Sequence, residues 1–254
     1  MTATQIDAYQ QYSFSAIAGG HPIRHDVYHR GTGAPIVLIQ ELPGIGQETL
    51  RLADKFLAAG FSVYMPHLFG PIGKTSMVGN MTRVLCLRRE FSVFSSGKSS
   101  PIVDWLRALC RKVRDDTQTA GVGVIGMCLT GNFAISLMGD DSVLAAVASQ
   151  PSMPFHSQDA LHMSADEIAS TRQRIDTTSA MLAFRFAGDP LCTAKKFNSI
   201  DRQFNDGQQR IDLRTLPGKG HSVLTLDFVD ETGHPTRQAL DAVLAYFGRQ
   251  LQSG

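Results

Sequence analysis

The run Gly121-Val122-Gly123-Val124-Ile125-Gly126-Met127-Cys128-Leu129-Thr130-Gly131 decides how the rest of the chain is read. Its first half is apolar and has the length of a buried strand. It ends in a turn with glycines two residues before and three after Cys128, and an apolar, helix-compatible run follows from Asn132 to Met138. The pattern predicts a strand, a sharp bend and a helix, with a thiol at the bend. A side chain at such a bend sits on a strained backbone, so its neighbours must be small, and glycine has no Cβ to clash. A helix starting directly after the cysteine aims its N-terminal N–H groups and positive dipole end at the sulfur, which favours a thiolate over a thiol. The amide of Leu129 would point at an oxyanion developing beside it. On these residues alone, a strand with an inert buried cysteine and two packing glycines competes with that reading.

Working outward, strands and helices alternate. Residues 12–18 and 23–30 read as two short strands joined at Gly19-Gly20-His21-Pro22. Pro35 to Gln40 reads as a buried strand ending in Glu41-Leu42-Pro43-Gly44, followed by a helix from Gln47 to Ala59 and a strand from Phe61 to Met65. Residues 67–100 interrupt the rhythm with glycines, Arg83, Arg88 and Arg89 and a short helix around 81–94; an excursion of this length commonly covers a site. A helix from Ile102 to Arg114 precedes the bend. Beyond it come a strand over 144–149 and a Pro-, Met- and His-rich loop over 150–162. A helix over 164–175 follows, with Ser164 and Glu167 as a capping box. Strands over 180–187 and 210–216 flank a helix over 193–204, and a last helix spans 236–250. The expectation is one α/β domain over residues 1–254, with a mostly parallel central sheet, helices on both faces and a short N-terminal hairpin.

The composition excludes several classes. At 254 residues, 43% hydrophobic and 19% charged, the chain can bury a sizeable core and does not read as disordered. A net charge of +1 leaves no electrostatic footprint for nucleic acid or an anionic membrane. The four cysteines, Cys86, Cys110, Cys128 and Cys192, form no Cys-x-x-Cys pair, so neither a zinc site nor a disulfide framework is expected. Met1 to Gln11 is polar and does not read as a signal peptide, and no run of apolar residues is long enough to span a bilayer. A reducing, cytoplasmic setting suits a reactive thiol.

In open parallel sheets ligands bind at the carboxyl ends of the strands. Four reactive side chains stand just past strand ends: Glu41, Cys128, Asp189 and His221. Nucleophile, then acid, then histidine is the chain order of the α/β-hydrolase triad. His221 would hold the proton of Cys128, and Asp189 would fix the imidazole's tautomer and orientation. The amides of Leu42 and Leu129 would form the oxyanion hole. A carboxylate such as Glu41, directly after a buried strand, must find a partner or change its pKa.

At these residues the chain resembles the dienelactone hydrolase family. The match is Gln40-Glu41, Gly-Met-Cys-Leu-Thr-Gly at 126–131, Gly188-Asp189 and Gly218-Lys219-Gly220-His221-Ser222. The resemblance implies an α/β-hydrolase fold and a cysteine nucleophile at Cys128, with Asp189 and His221 completing the triad and Glu41 helping to deprotonate the thiol. It also implies enol-lactone substrates carrying a carboxylate, and no metal or organic cofactor. Two arginines hold that carboxylate in members acting on dienelactone. Arg89-Glu90, beside Arg88, matches the first, whereas Thr225 stands at the second. Val93 and Ser96 replace aromatic residues expected nearby, and His67 stands where an aspartate is usual. Arg88, Arg89 and Ser222 are candidate substrate contacts.

The resulting expectation is a cysteine hydrolase cleaving a small lactone or carboxylic ester through an acyl-enzyme on Cys128, as a monomer or small homo-oligomer. The alternatives are a broad-specificity small carboxylesterase and a non-catalytic binding protein on the same fold. Redox sensing would need a resolving thiol, for which Cys192 is the candidate.

Overall fold

Ile36, Val37, Leu38 and Ile39 are all fully buried, and their alternation sorts them into two layers. Val37 and Ile39 join one apolar cluster, while Ile36 and Leu38 join another on the opposite face. The same split divides Val124 from Ile125 and Ala146 from Ala145 and Val147, so these strands are covered on both sides. The computed structural model describes residues 6–42, 44–70, 72–73, 100–152, 159–161 and 163–252. The short helix expected at 81–94, with Arg83, Cys86, Arg88, Arg89, Glu90, Val93 and Ser96, lies outside the described residues, as do Pro43 and His162.

Eight strands form one sheet: β1 (Gln10–Ala18), β2 (His21–Arg30), β3 (Pro35–Ile39), β4 (Ser62–His67), β5 (Val122–Met127), β6 (Val143–Ser149), β7 (Met181–Phe186) and β8 (Ile211–Leu216). Their spatial order is β1-β2-β4-β3-β5-β6-β7-β8. β1 pairs antiparallel with β2, and β2 antiparallel with β4; every later pairing is parallel. The N-terminal hairpin is therefore present, with a tighter turn than the sequence suggests. Only Gly19 and Gly20 intervene, both at positive φ, as two-residue hairpin turns require.

One face carries α2 (Pro101–Thr117), α3 (Leu129–Leu137), α4 (Ala165–Thr177) and α5 (Ala194–Phe204). Ile102, Trp105, Leu106, Leu109 and Val113 of α2 pack there with Ile135 of α3 and Ile200 and Phe204 of α5. The other face carries α1 (Gln47–Ala58) and α6 (Pro235–Leu251), through Leu50 and Phe56 and through Leu240, Val243 and Phe247. The Ser164 capping box is formed: Glu167 N–H donates to Ser164 Oγ at 3.1 Å, and Ser164 N–H to Glu167 Oε2 at 2.9 Å. Two boundaries differ from expectation. α2 runs on to Thr117, where Gln118 closes it in the left-handed region at φ 53. α3 begins at Leu129, a turn before Asn132, because the bend at Cys128 leads straight into helical backbone.

Candidate active site

Six adjacent strands, β4, β3, β5, β6, β7 and β8, are parallel and point their carboxyl ends the same way. Glu41 follows β3, Cys128 follows β5, Asp189 follows β7 and His221 follows β8, so strand order delivers these side chains to one end of the sheet. Four of these ends were legible in the sequence. The β6 end, which brings Gln150 and Ser152, was not.

Cys128 sits at φ 57, ψ −122, a left-handed conformation that a residue with a Cβ rarely adopts. The surroundings over-determine it. A Cβ on Gly126 would come within 2.1 Å of Thr130 O, so only glycine fits there. Met127 N–H donates to Thr130 Oγ1 at 3.0 Å, and that hydroxyl reaches Gln40 O at 3.1 Å, stapling the bend to the end of β3. The result is a buried sulfur at the N-cap of α3. Its Sγ lies 3.3 Å from Ser152 Oγ. Among the described residues, the Leu42 and Leu129 amides donate to no backbone acceptor.

His221 and Asp189 are brought together. Asp189 Oδ2 and Oδ1 lie 2.8 and 2.9 Å from His221 Nδ1. Asp189 Oδ1 also accepts from Leu191 N–H at 2.8 Å and Cys192 N–H at 2.9 Å, which fixes the carboxylate's orientation. The loop carrying His221 is held by Asp227, whose Oδ2 accepts from the amides of His221 and Ser222, each at 2.8 Å. Arg185 steadies the loop carrying Asp189 by donating to Phe186 O at 2.9 Å and Cys192 O at 3.3 Å. Burial alone would push the imidazole's pKa down. The Asp189 hydrogen bond, then the hydrogen-bonding reach and charge of Cys128, overcome that and raise it to about 10. The far ring nitrogen, Nε2, is buried and makes no aligned hydrogen bond among the described residues. The sulfur is thus near enough to act on the ring and to favour its protonated form.

Glu41 is not bonded to the cysteine. It is 2% exposed, and its Oε2 accepts from Ser222 Oγ at 3.1 Å and stands 3.5 Å from Gln150 Nε2, while Thr225 Oγ1 bonds Oε1. Burial drives its pKa up; the hydroxyls of Thr225 and Ser222 and the charge of His221 oppose this, and Asp227 adds to it. The Ser222 hydroxyl, a candidate substrate contact from the sequence, is therefore engaged with Glu41. Thr225 turns its hydroxyl onto the same carboxyl. His67 bonds Gly70 O through Nε2 at 2.5 Å and lies at the end of β4, beside the sheet's antiparallel edge. No cluster of His, Cys, Asp or Glu suited to a metal ion occurs among the described residues.

The sequence profile of the dienelactone hydrolase family matches residues 26–252. The chain belongs to that family. As a member of the dienelactone hydrolase family it is a carboxylic ester hydrolase. A search of curated proteins found no match. Solved structures share its fold at low identity. A Klebsiella pneumoniae protein assigned as a dienelactone hydrolase superposes with a TM-score of 0.65 at 14% identity, covering 95% of this chain and 99% of its own. Carboxyl esterase 2 from the mycorrhizal fungus Tuber melanosporum gives 0.62 at 10% identity, covering 96% and 88%. Dienelactone hydrolase from Anabaena variabilis gives 0.57 at 13% identity, covering 96% and 99%. No helix among the described residues is long and apolar enough to cross a membrane.

Proposed function

We propose that this member of the dienelactone hydrolase family cleaves a small lactone or carboxylic ester through an acyl-enzyme on Cys128. The observation that carries the reading is a strained, buried thiol at a helix N-terminus beside an imidazole whose outer nitrogen is tied to a buried carboxylate. His221 Nε2 takes the thiol proton, the sulfur attacks the carbonyl carbon, and the Leu42 and Leu129 amides receive the oxyanion. The tetrahedral intermediate collapses as His221 protonates the leaving oxygen. Water, deprotonated by the same nitrogen, then releases the acid and returns the proton to the site. Asp189 stays ionised and holds the ring throughout. Glu41 closes the wall behind the site, gripped by Ser222 and Thr225.

A substrate without a carboxylate fits this site better than one with it. Thr225 supplies a hydroxyl where the family's second arginine would stand, and it is turned to Glu41. Arg88 and Arg89 remain candidates for the other half of a carboxylate clamp. Redox sensing has less support, because Cys192 is fully buried and burial pushes its thiol pKa up, the reverse of what a resolving thiol needs. A cytoplasmic setting and a monomer or small oligomer remain part of the proposal, with no cofactor required for the chemistry.

The test is a panel of lactones and aryl esters, with and without a free carboxylate, assayed with the wild type and Cys128→Ala. The variant is expected to fold normally and lose at least about a thousandfold in kcat. Wild-type turnover by Cys128→Ala would refute the nucleophile. Arg89→Ala is expected to weaken carboxylate-bearing substrates alone; an equal loss on neutral esters would remove the clamp.

A further inference from the structure

We infer that the Ser152 hydroxyl donates a hydrogen bond to the Cys128 sulfur and is a further catalytic residue of this site. The inference rests on Cys128 being the nucleophile. Ser152 Oγ stands 3.3 Å from Cys128 Sγ, within hydrogen-bond reach for a sulfur acceptor. The side chain is 1% exposed, so its O–H must find an acceptor inside the protein. Sγ is the acceptor within reach of Ser152 Oγ among the described residues.

The backbone around Ser152 is pinned to the nucleophile bend at three points. Its N–H donates to Cys128 O at 3.1 Å. Its carbonyl accepts from Asn132 Nδ2 at 3.0 Å, and the same amide group reaches Leu129 O at 3.1 Å in the first turn of α3. Pro151, immediately before it, lies against Gly131, where a Cβ would approach Pro151 Cα to 3.0 Å. Gly131 thus serves to let the Ser152 strand end close on the bend. The hydroxyl is held in place by the backbone, so little freedom is lost when the bond forms.

A thiolate accepts a hydrogen bond far more strongly than a thiol, so a donor fixed at this position favours the charged sulfur. The proton that leaves the sulfur goes to His221 Nε2, while Ser152 keeps its own proton and forms no covalent bond. The donor acts again when the thioester breaks down and the sulfur departs as thiolate. The titratable groups delivered to the same end of the sheet include His221 after β8, with Asp189 behind it and Asp227 on its loop, Cys192 after β7, Glu41 after β3 and His67 at the end of β4. His221 faces the sulfur as the charged partner, Cys192 is a buried thiol that burial keeps neutral, and Glu41 is engaged with Ser222, Thr225 and Gln150. Ser152 is the neutral partner in direct contact.

The experiment follows iodoacetamide alkylation of Cys128 by peptide mass from about pH 5 to about pH 10 in the wild type, Ser152→Ala, Ser152→Gly and Ser152→Thr, with folding checked by circular dichroism. Loss of the hydroxyl is expected to move the half-maximal pH of alkylation up by about one unit, so alkylation well below it slows about tenfold. Ser152→Thr, which keeps the hydroxyl, is expected to restore most of the wild-type profile. Cys128 alkylation with an unchanged pH profile in folded Ser152→Ala or Ser152→Gly overturns the assignment, as does a Thr variant shifted as far as Ala. Cys128→Ala, assayed for ester turnover in parallel, separates the two readings. If it is inactive while Ser152→Ala keeps the wild-type profile, the Ser152 role alone fails; if it stays active, the nucleophile assignment fails first.

Discussion

Glu41 illustrates how a single residue sets a pH dependence. Its hydrogen-bond partners, Ser222, Thr225 and Gln150, are all uncharged, and burial raises its pKa. Because the folded value lies above the unfolded one, the unfolded chain releases this proton first. The associated stability is full below about pH 4.5 and is lost as pH rises through the folded value. Glu41→Gln removes that penalty while keeping the side chain's shape. Its melting temperature is expected to exceed the wild type's at pH 8, with the gap closing toward pH 4.5. A variant less stable than the wild type at pH 8 would contradict a carboxyl held by neutral donors. His221 runs the same way for a different reason. Its pKa is raised from 6.5 to about 10, so the Asp189 pairing contributes fully below 6.5 and is lost as pH climbs through 10. Asp189→Asn is expected to lose more stability at pH 6 than at pH 10, measured by denaturant titration at each pH.

At the scale of the element, the bend between β5 and α3 stores strain that its neighbours must hold. A non-glycine residue at φ 57, ψ −122 costs on the order of 1–3 kcal/mol. Gly126 permits it, because a Cβ there would meet Thr130 O at 2.1 Å. Gly126→Ala is expected to destabilise the protein by about 3 kcal/mol and to cut ester turnover by shifting the sulfur. A calorimetric melt and initial rates check this, and an unchanged melting temperature would contradict the close approach. This element was legible in the sequence because its constraints are local: two glycines and a thiol at fixed spacing after an apolar run. Ser152, Thr130, Gln150 and Asp227 were not legible in their roles. Serine, threonine, glutamine and aspartate are ordinary near loops, and their partners are chosen only when neighbouring strand ends close on one another. Asp227 lies six residues past the histidine whose amide it caps, and nothing local marks it. The proposed triad was a sequence expectation because reactive side chains just past strand ends leave a trace along the chain.

Across the whole molecule, the sheet joins everything described into two apolar layers, and we propose that the chain unfolds as one unit. Trp105, the only tryptophan, is fully buried on the α2 face. Its fluorescence is expected to change at the same denaturant concentration as far-ultraviolet ellipticity, and two separated transitions would contradict a single unit. The α/β alternation gave the architecture from the sequence because short, continuously apolar runs mark strands covered on both faces, and helical periodicity marks the elements between them. The long stretch over residues 74–99 offered no such period, so its substrate contacts rest on resemblance. The fold also sets the thiols apart. Cys110 and Cys192 are fully buried and burial raises the pKa of each, whereas Cys128 caps a helix beside an imidazole. Cys128 is expected to be alkylated ahead of both. The most direct measurement of the central claim is mass spectrometry of the enzyme quenched with acid during turnover of an activated acetate ester. The account predicts one added acetyl group per chain, mapped to the peptide carrying Cys128 and absent in Cys128→Ala. An acetyl group on any other residue, or no adduct while hydrolysis proceeds through a burst, would contradict it.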